Sequence, residues 1–288
     1  MSTPPTLTLP SCATASRLVT ARGEFAMHDA RPAAGPVRGT ALLVPGFTGS
    51  KEDFIALLEP LATAGFRVVA VDGRGQYETA GPREEGAYAQ PELARDVLAQ
   101  VEALGRGVHV LGHSLGGLIV RAAALLDASG FASLTLMSSG PAAISASQRE
   151  RTKLLLEALG VLDMASVWQA MRDLDPPEAP ASRASAEVRE FLRRRWMSTV
   201  PEQLIATGRQ LMFATDQVAE LAAVAPARHV VSGEVDYAWP VALLDAMADR
   251  LDARRTVIAG AGHSPNAEQP LACARALADF WEDVTVDG

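Results

Sequence analysis

The sequence predicts an α/β fold: a mostly parallel central sheet with helices on both faces and an inserted helical cap. Three observations predict it. Short apolar runs at 40–44, 66–71, 108–111, 132–137, 228–232 and 255–259 alternate with helical patterns at 53–64, 91–104, 115–128, 240–251 and 268–282, the order that builds a parallel sheet. The runs are continuous in their apolar character, as strands buried on both faces are. Between 141 and 226 the alternation stops, and helical patterns at 146–160, 163–173, 185–198 and 201–215 follow one another without a convincing strand.

Each element follows from local chemistry. Residues 1–15, rich in Pro, Ser and Thr, read as a flexible N-terminal arm. Segments 17–22 and 24–28, broken at Gly23, suit an edge hairpin. The helix at 53–64 has Asp53 near its start and Gly65 just past its end, while Pro60 predicts a kink or a division. The linker Asp175-Pro-Pro-Glu-Ala-Pro180 divides the middle block. The expected organisation is therefore a core formed by 16–140 and 227–288, with a cap of helices at 141–226.

Composition bounds the function. The 288 residues are 48% hydrophobic, enough for one sizeable core. A net charge of −8 disfavours a nucleic-acid partner. No apolar stretch reaches the roughly 20 residues that span a bilayer, so no integral membrane association is expected. The first residues lack a basic start followed by an apolar run, which predicts a cytoplasmic protein. Cys12 and Cys273 alone make neither a disulfide framework nor a zinc pattern. No metal or organic cofactor is implied.

The chemistry is concentrated at strand ends. Strand 108–111 runs into Gly112-His113-Ser114-Leu115-Gly116-Gly117, which opens an apolar helix. A strand turning this sharply into a helix lifts the central serine clear of the sheet, and the helix N-terminus favours a developing oxyanion. Ser114 is the expected nucleophile, with His113 expected to pack beside it. A serine hydroxyl needs a base. Of the five histidines, His109 and His229 fall within strands and His28 in the hairpin. His263 alone lies in a glycine-flanked loop after a strand, Gly260-Ala-Gly-His263. The acid that orients it comes from Gly233-Glu234-Val-Asp236, with Asp236 favoured and Glu234 its competitor. The N–H groups of Leu115 and Phe47, the latter in the loop Val44-Pro45-Gly46-Phe47, are the expected oxyanion donors.

These motifs, over residues 16–282, resemble the α/β-hydrolase superfamily. Val44-Pro45-Gly46-Phe47 resembles its oxyanion loop, with Pro45 in place of the usual His. Asp72-Gly-Arg-Gly-Gln76 resembles its Asp-x-Arg-Gly-x-Gly turn, with Tyr77 in place of the last Gly. The order Ser114, Asp236, His263 is that of the superfamily. The closest resemblance is to cap-bearing esterases and monoacylglycerol-lipase-like enzymes; dehalogenases and epoxide hydrolases carry Asp where Ser114 stands. The resemblance implies hydrolysis of a small-molecule carboxylic ester through an acyl-enzyme. Alternatives sharing the triad are a cofactor-free perhydrolase (haloperoxidase-like), a carbon–carbon bond hydrolase and an acyltransferase. A ligand-binding protein that keeps the fold is the non-enzymatic alternative.

The block 141–226 holds four of the eight methionines together with Trp168, Trp196, Phe191 and Phe213. Trp168, Met171, Trp196 and Met212 are the candidate lining of an apolar substrate site. The triplet Arg193-Arg194-Arg195 reads as a solvated helix face.

Overall fold

The computed structural model of the protein describes residues 2–174, 184–224 and 226–286. The linker expected at 175–180 lies outside them. An eight-stranded sheet runs in the order β1-β2-β4-β3-β5-β6-β7-β8. The strands are β1 (Ala13–Thr20), β2 (Gly23–Ala30), β3 (Gly39–Val44), β4 (Phe66–Val71), β5 (Val108–His113), β6 (Phe131–Met137), β7 (Ala227–Gly233) and β8 (Arg254–Ile258). From β4 to β8 every neighbouring pair is parallel. The hairpin β1–β2 joins antiparallel at the β4 edge.

The first fifteen residues are partly built into the fold instead of forming a loose arm. Strand β1 already starts at Ala13, which pairs with Ala30. Pro4 is buried, and the Ser2 carbonyl accepts a hydrogen bond from Arg195 at 2.7 Å.

Both faces of the central strands are buried, which explains their unbroken apolar runs. Leu42 and Val44 of β3 point into one cluster with Val69, Val110, Leu134 and Val230. Ala41 and Leu43 point into the other with Val68, Leu111 and Val231. Helices α1 (Ile55–Thr63) and α10 (Pro270–Val286) cover the second face. Helices α2 (Gln90–Leu104), α3 (Leu115–Leu126) and α9 (Val241–Leu251) cover the first. A 3₁₀ turn at Lys51–Phe54 leads into α1, and Pro60 lies inside that helix without dividing it.

Between β6 and β7 the chain leaves the sheet to build the cap. Its helices are α4 (Ala146–Leu159), α5 (Met164–Leu174), α6 (Ala186–Ser198) and α7 (Pro201–Phe213), followed by the short α8 (Val218–Ala222). Helix α8 has no counterpart in the sequence reading; its Val218 and Leu221 pack onto the core. Helix α4 packs against α7, and α5 against α6. Both ends of the excursion are held by Arg121 on α3. Its buried guanidinium donates to the carbonyls of Gly140 and Pro141 where the chain departs, and of Thr215 where it returns. Burial pushes that guanidinium down to about 10, and it stays charged at neutral pH.

Cys12 and Cys273 are free thiols. Among the described residues no helix is long and apolar enough to cross a membrane, and no cluster of metal-ligating side chains is present.

Candidate active site

Parallel topology brings the C-terminal ends of β3, β5, β7 and β8 to one edge of the sheet, where sites form in open α/β folds. Ser114 stands between β5 and α3 with φ 54° and ψ −116°, a conformation that costs a non-glycine residue about 1–3 kcal/mol. The turn is possible only because Gly112 and Gly116 lack side chains. A Cβ at Gly112 would strike the carbonyl of Gly116, and one at Gly116 would strike the carbonyls of Val44 and Pro45. These glycines press the Ser114 turn against the end of β3.

Three sequence-predicted residues converge there. The Ser114 Oγ lies 3.1 Å from His263 Nε2, and His263 Nδ1 lies 2.8 Å from Asp236 Oδ2. Asp236 is buried, and its Oδ1 also accepts the N–H groups of Ala238 at 2.7 Å and Trp239 at 3.1 Å. The carboxylate is thus anchored by its own loop and turned toward the imidazole. Glu234 is not brought to the histidine: it is exposed and accepts the Gly260 N–H at 2.8 Å, tying the β7 loop to the β8 loop.

The histidine is braced from several sides, and apart from His113, already expected to pack beside Ser114, the sequence did not announce them. His113 Nε2 donates to the His263 carbonyl at 2.8 Å. Burial, with His263 second, pushes His113 down to about 4, so it is neutral near pH 7. Glu268 accepts the N–H groups of Gly262 and Ser264, at 2.6 and 2.9 Å, one on each side of His263. The ring of Tyr237 lies 4.7 Å from the imidazole and that of Trp239 6.4 Å. Polar and aromatic residues at such loop positions give no periodic signal, which is why spacing could not find them.

The loop after β3 carries Phe47. Gly49 N–H donates to the Gly46 carbonyl, and Gln76 Nε2 donates to the same oxygen at 3.0 Å. Among the described residues neither the Phe47 N–H nor the Leu115 N–H has a hydrogen-bond partner. The Phe47 side chain packs against the apolar cluster of the cap.

The four cap candidates divide. Trp168, Met171 and Trp196 share one cluster with Val167 and Leu204, facing Phe47. Within it Trp196 is fully buried, and its Nε1 donates to the Met164 carbonyl at 2.7 Å. Met212 is half-buried on α7 and belongs to no cluster. The reading of Arg193–Arg195 as a solvated face holds for Arg193 and Arg194 but not for Arg195. Arg195 is buried because Asp53, on the distant 3₁₀ turn, pairs with it at 2.7 Å.

A strained serine, a histidine and a carboxylate thus stand in hydrogen-bond sequence at parallel strand ends. The family model described as "Alpha/beta hydrolase family" matches residues 41–276. The chain belongs to that family. Among curated relatives, this α/β hydrolase is 28% identical over 259 residues to "Putative carbamate hydrolase RutD" of Variovorax paradoxus (strain S110), covering 88% of this chain and 96% of that one. Among solved structures, a hydrolase from Pseudomonas aeruginosa PA01 superposes with a TM-score of 0.73 at 27% identity, covering 93% of this chain and 98% of that one. A thermophilic esterase from Thermogutta terrifontis superposes with a TM-score of 0.74 at 24% identity, covering 95% and 100%, which shows the shared fold.

Proposed function

We propose that this α/β hydrolase is a serine esterase acting on a carboxylic ester with an apolar acyl or alcohol group. The observation that carries the reading is the unbroken line from Ser114 Oγ through His263 to Asp236, with contacts of 3.1 and 2.8 Å. His263 Nε2 accepts the hydroxyl proton as Ser114 attacks the carbonyl carbon. Asp236 holds the Nδ1–H tautomer and stabilises the imidazolium. The Phe47 and Leu115 N–H groups receive the oxyanion, where preorganised donors act most strongly. His263 then protonates the leaving alcohol, and water deprotonated by the same nitrogen releases the acid from the acyl-enzyme. Trp168, Met171, Trp196 and Met212 are proposed as the apolar side of the site. Of these, Trp168 and Met171 are the half-buried members of the cap cluster that faces Phe47.

The test is a series of p-nitrophenyl esters, from acetate to laurate, on wild type and Ser114→Ala. The expected result is loss of turnover to near background in the variant and a chain-length optimum above acetate in wild type. Undiminished hydrolysis by Ser114→Ala would sink the mechanism. The same residues would attack a carbamate carbonyl, and the 28% identity to the RutD protein makes an aryl carbamate the second substrate to try.

A further inference from the structure

The buried pair Asp53–Arg195 has no part in the proton path, yet it joins three pieces of the site. Arg195, on cap helix α6, donates from Nη1 to Asp53 Oδ1 at 2.7 Å and to the Ser50 hydroxyl at 3.3 Å. The other Asp53 oxygen accepts the Ser50 N–H at 3.4 Å and lies against Gly49, closing the loop that begins at Phe47. The Asp53 backbone carbonyl accepts from Asn266 Nδ2 at 2.7 Å, three residues beyond His263. One residue therefore touches the cap with one oxygen, the oxyanion loop with the second, and the histidine loop with its main chain. The same cap segment is pinned again where Val200 N–H donates to the Gly75 carbonyl at 2.9 Å. The Phe47 side chain rests on the cluster that contains Trp196, next in sequence to Arg195.

Energetics argue that the pair sets geometry. A buried ion pair is usually no more stabilising than apolar residues of the same volume, because desolvation cancels most of the attraction. Its charge-assisted bonds do fix orientation, which an apolar contact does not. Burial pushes the Asp53 carboxyl up, and Arg195 beside it works in the opposite direction. The carboxylate thus depends on the cap for its counter-charge.

We propose that Asp53 and Arg195 are positioning residues through which the seated cap sets the oxyanion loop and the histidine loop relative to Ser114. The inference rests on the serine-hydrolase reading. Donors aimed at the oxyanion act in the transition state, so loosening them lowers kcat while ground-state binding is largely kept.

The experiment compares wild type, Ser114→Ala, Arg195→Lys, Arg195→Met and the double variant Asp53→Asn/Arg195→Met, by thermal melting and steady-state hydrolysis of one p-nitrophenyl ester. Arg195→Met strands a buried carboxylate and is expected to melt lower, with kcat reduced about 10–100-fold, the scale of a small misplacement of reacting groups. The double variant removes both charges and is expected to regain most of the melting temperature while kcat stays at least about tenfold down and KM stays within about twofold. Arg195→Lys keeps a cation and is expected to retain more kcat than Arg195→Met. If Arg195→Met does not fold, the double variant carries the test. A double variant with wild-type kcat overturns the inference and leaves a purely structural pair. Absence of Ser114-dependent turnover in wild type overturns the hydrolase reading instead, and the two failures are told apart by the Ser114→Ala control.

Discussion

Replacing Asp236 by Asn tests the triad more sharply than removing it, because the structure dictates which way the amide faces. Asp236 Oδ1 accepts two backbone N–H groups, from Ala238 and Trp239, and lies 3.0 Å from His263 Nδ1, while Oδ2 is the nearer oxygen to that nitrogen at 2.8 Å. In Asp236→Asn the amide oxygen keeps the two N–H donors, and the NH₂ group takes the Oδ2 position. It then donates to Nδ1, which leaves the imidazole proton on Nε2, facing the Ser114 hydroxyl it should accept from. The flipped amide would restore the working tautomer but turn its NH₂ against two backbone donors. At about 1–3 kcal/mol for each buried group left unpaired, the flip costs about 2–6 kcal/mol. The wrong tautomer therefore dominates. The expected loss in kcat is on the order of 10⁴, as for the same tautomer error in serine proteases, equivalent to about 5 kcal/mol of barrier. Ester hydrolysis with titrated active sites measures the loss, and ¹⁵N spectra of the imidazole read the tautomer directly. A variant within tenfold of wild type, or one retaining the Nδ1 proton, would refute the argument. Glu234→Gln is the matched control: its partner is the Gly260 N–H, so kcat should change by no more than about threefold.

Three further outcomes follow from the geometry. Gly116→Ala drives a methyl group into the Val44 and Pro45 carbonyls, and should lose at least about 1–3 kcal/mol in denaturant melts along with most activity, whereas Gly86→Ala, with open space around it, should behave as wild type. Lys51 is buried among Glu52, Asp72 and Glu78, so Lys51→Met strands Asp72 and should cost about 3–5 kcal/mol. Burial already raises the Asp72 carboxyl, and a raised acid loses stability as pH rises, so the deficit should shrink toward acid pH; a deficit independent of pH would count against the assignment. His109 and His113 are pushed down to about 4 and His229 to about 3 by burial. Their folded values lie below the unfolded one, so the stability they contribute is complete above about pH 6.5 and is lost as pH falls toward 4. The loss should be roughly 2 kcal/mol apiece by pH 5, read from unfolding curves at each pH.

The alternation of strands and helices was legible because burial on both faces leaves unbroken apolar runs, as in Thr40–Val44 and Val108–Leu111. Ser114, Asp236 and His263 could be picked out because each sits just past such a run, and parallel topology sends those ends to one edge. Asp236 and Glu234 could only be ranked: their separation depends on which backbone N–H groups each meets after folding. Arg195 was misread for a similar reason. A triplet of arginines looks solvated unless Asp53, far away in sequence, is known to turn one of them inward. The hairpin was placed correctly but begun late, because the pairing of Ala13 with Ala30 leaves no pattern in a stretch rich in Ser and Thr. Helix α8 is five residues long, too short for a helical period to show.

The position of the cap in the chain has a consequence for synthesis. Strands β1 to β6 and Ser114 precede it, whereas Asp236 and His263 follow it, on loops that exist only after β7 and β8 have docked. Pairing β6 with β7 means closing the whole excursion into a loop, a cost that grows only slowly with its length. On the proposed mechanism, a chain made from its N-terminus, folding as it emerges, presents the Ser114 hydroxyl long before it has a base to activate it. The nascent protein would then be chemically silent, and its first turnover would report that the final strand is in place.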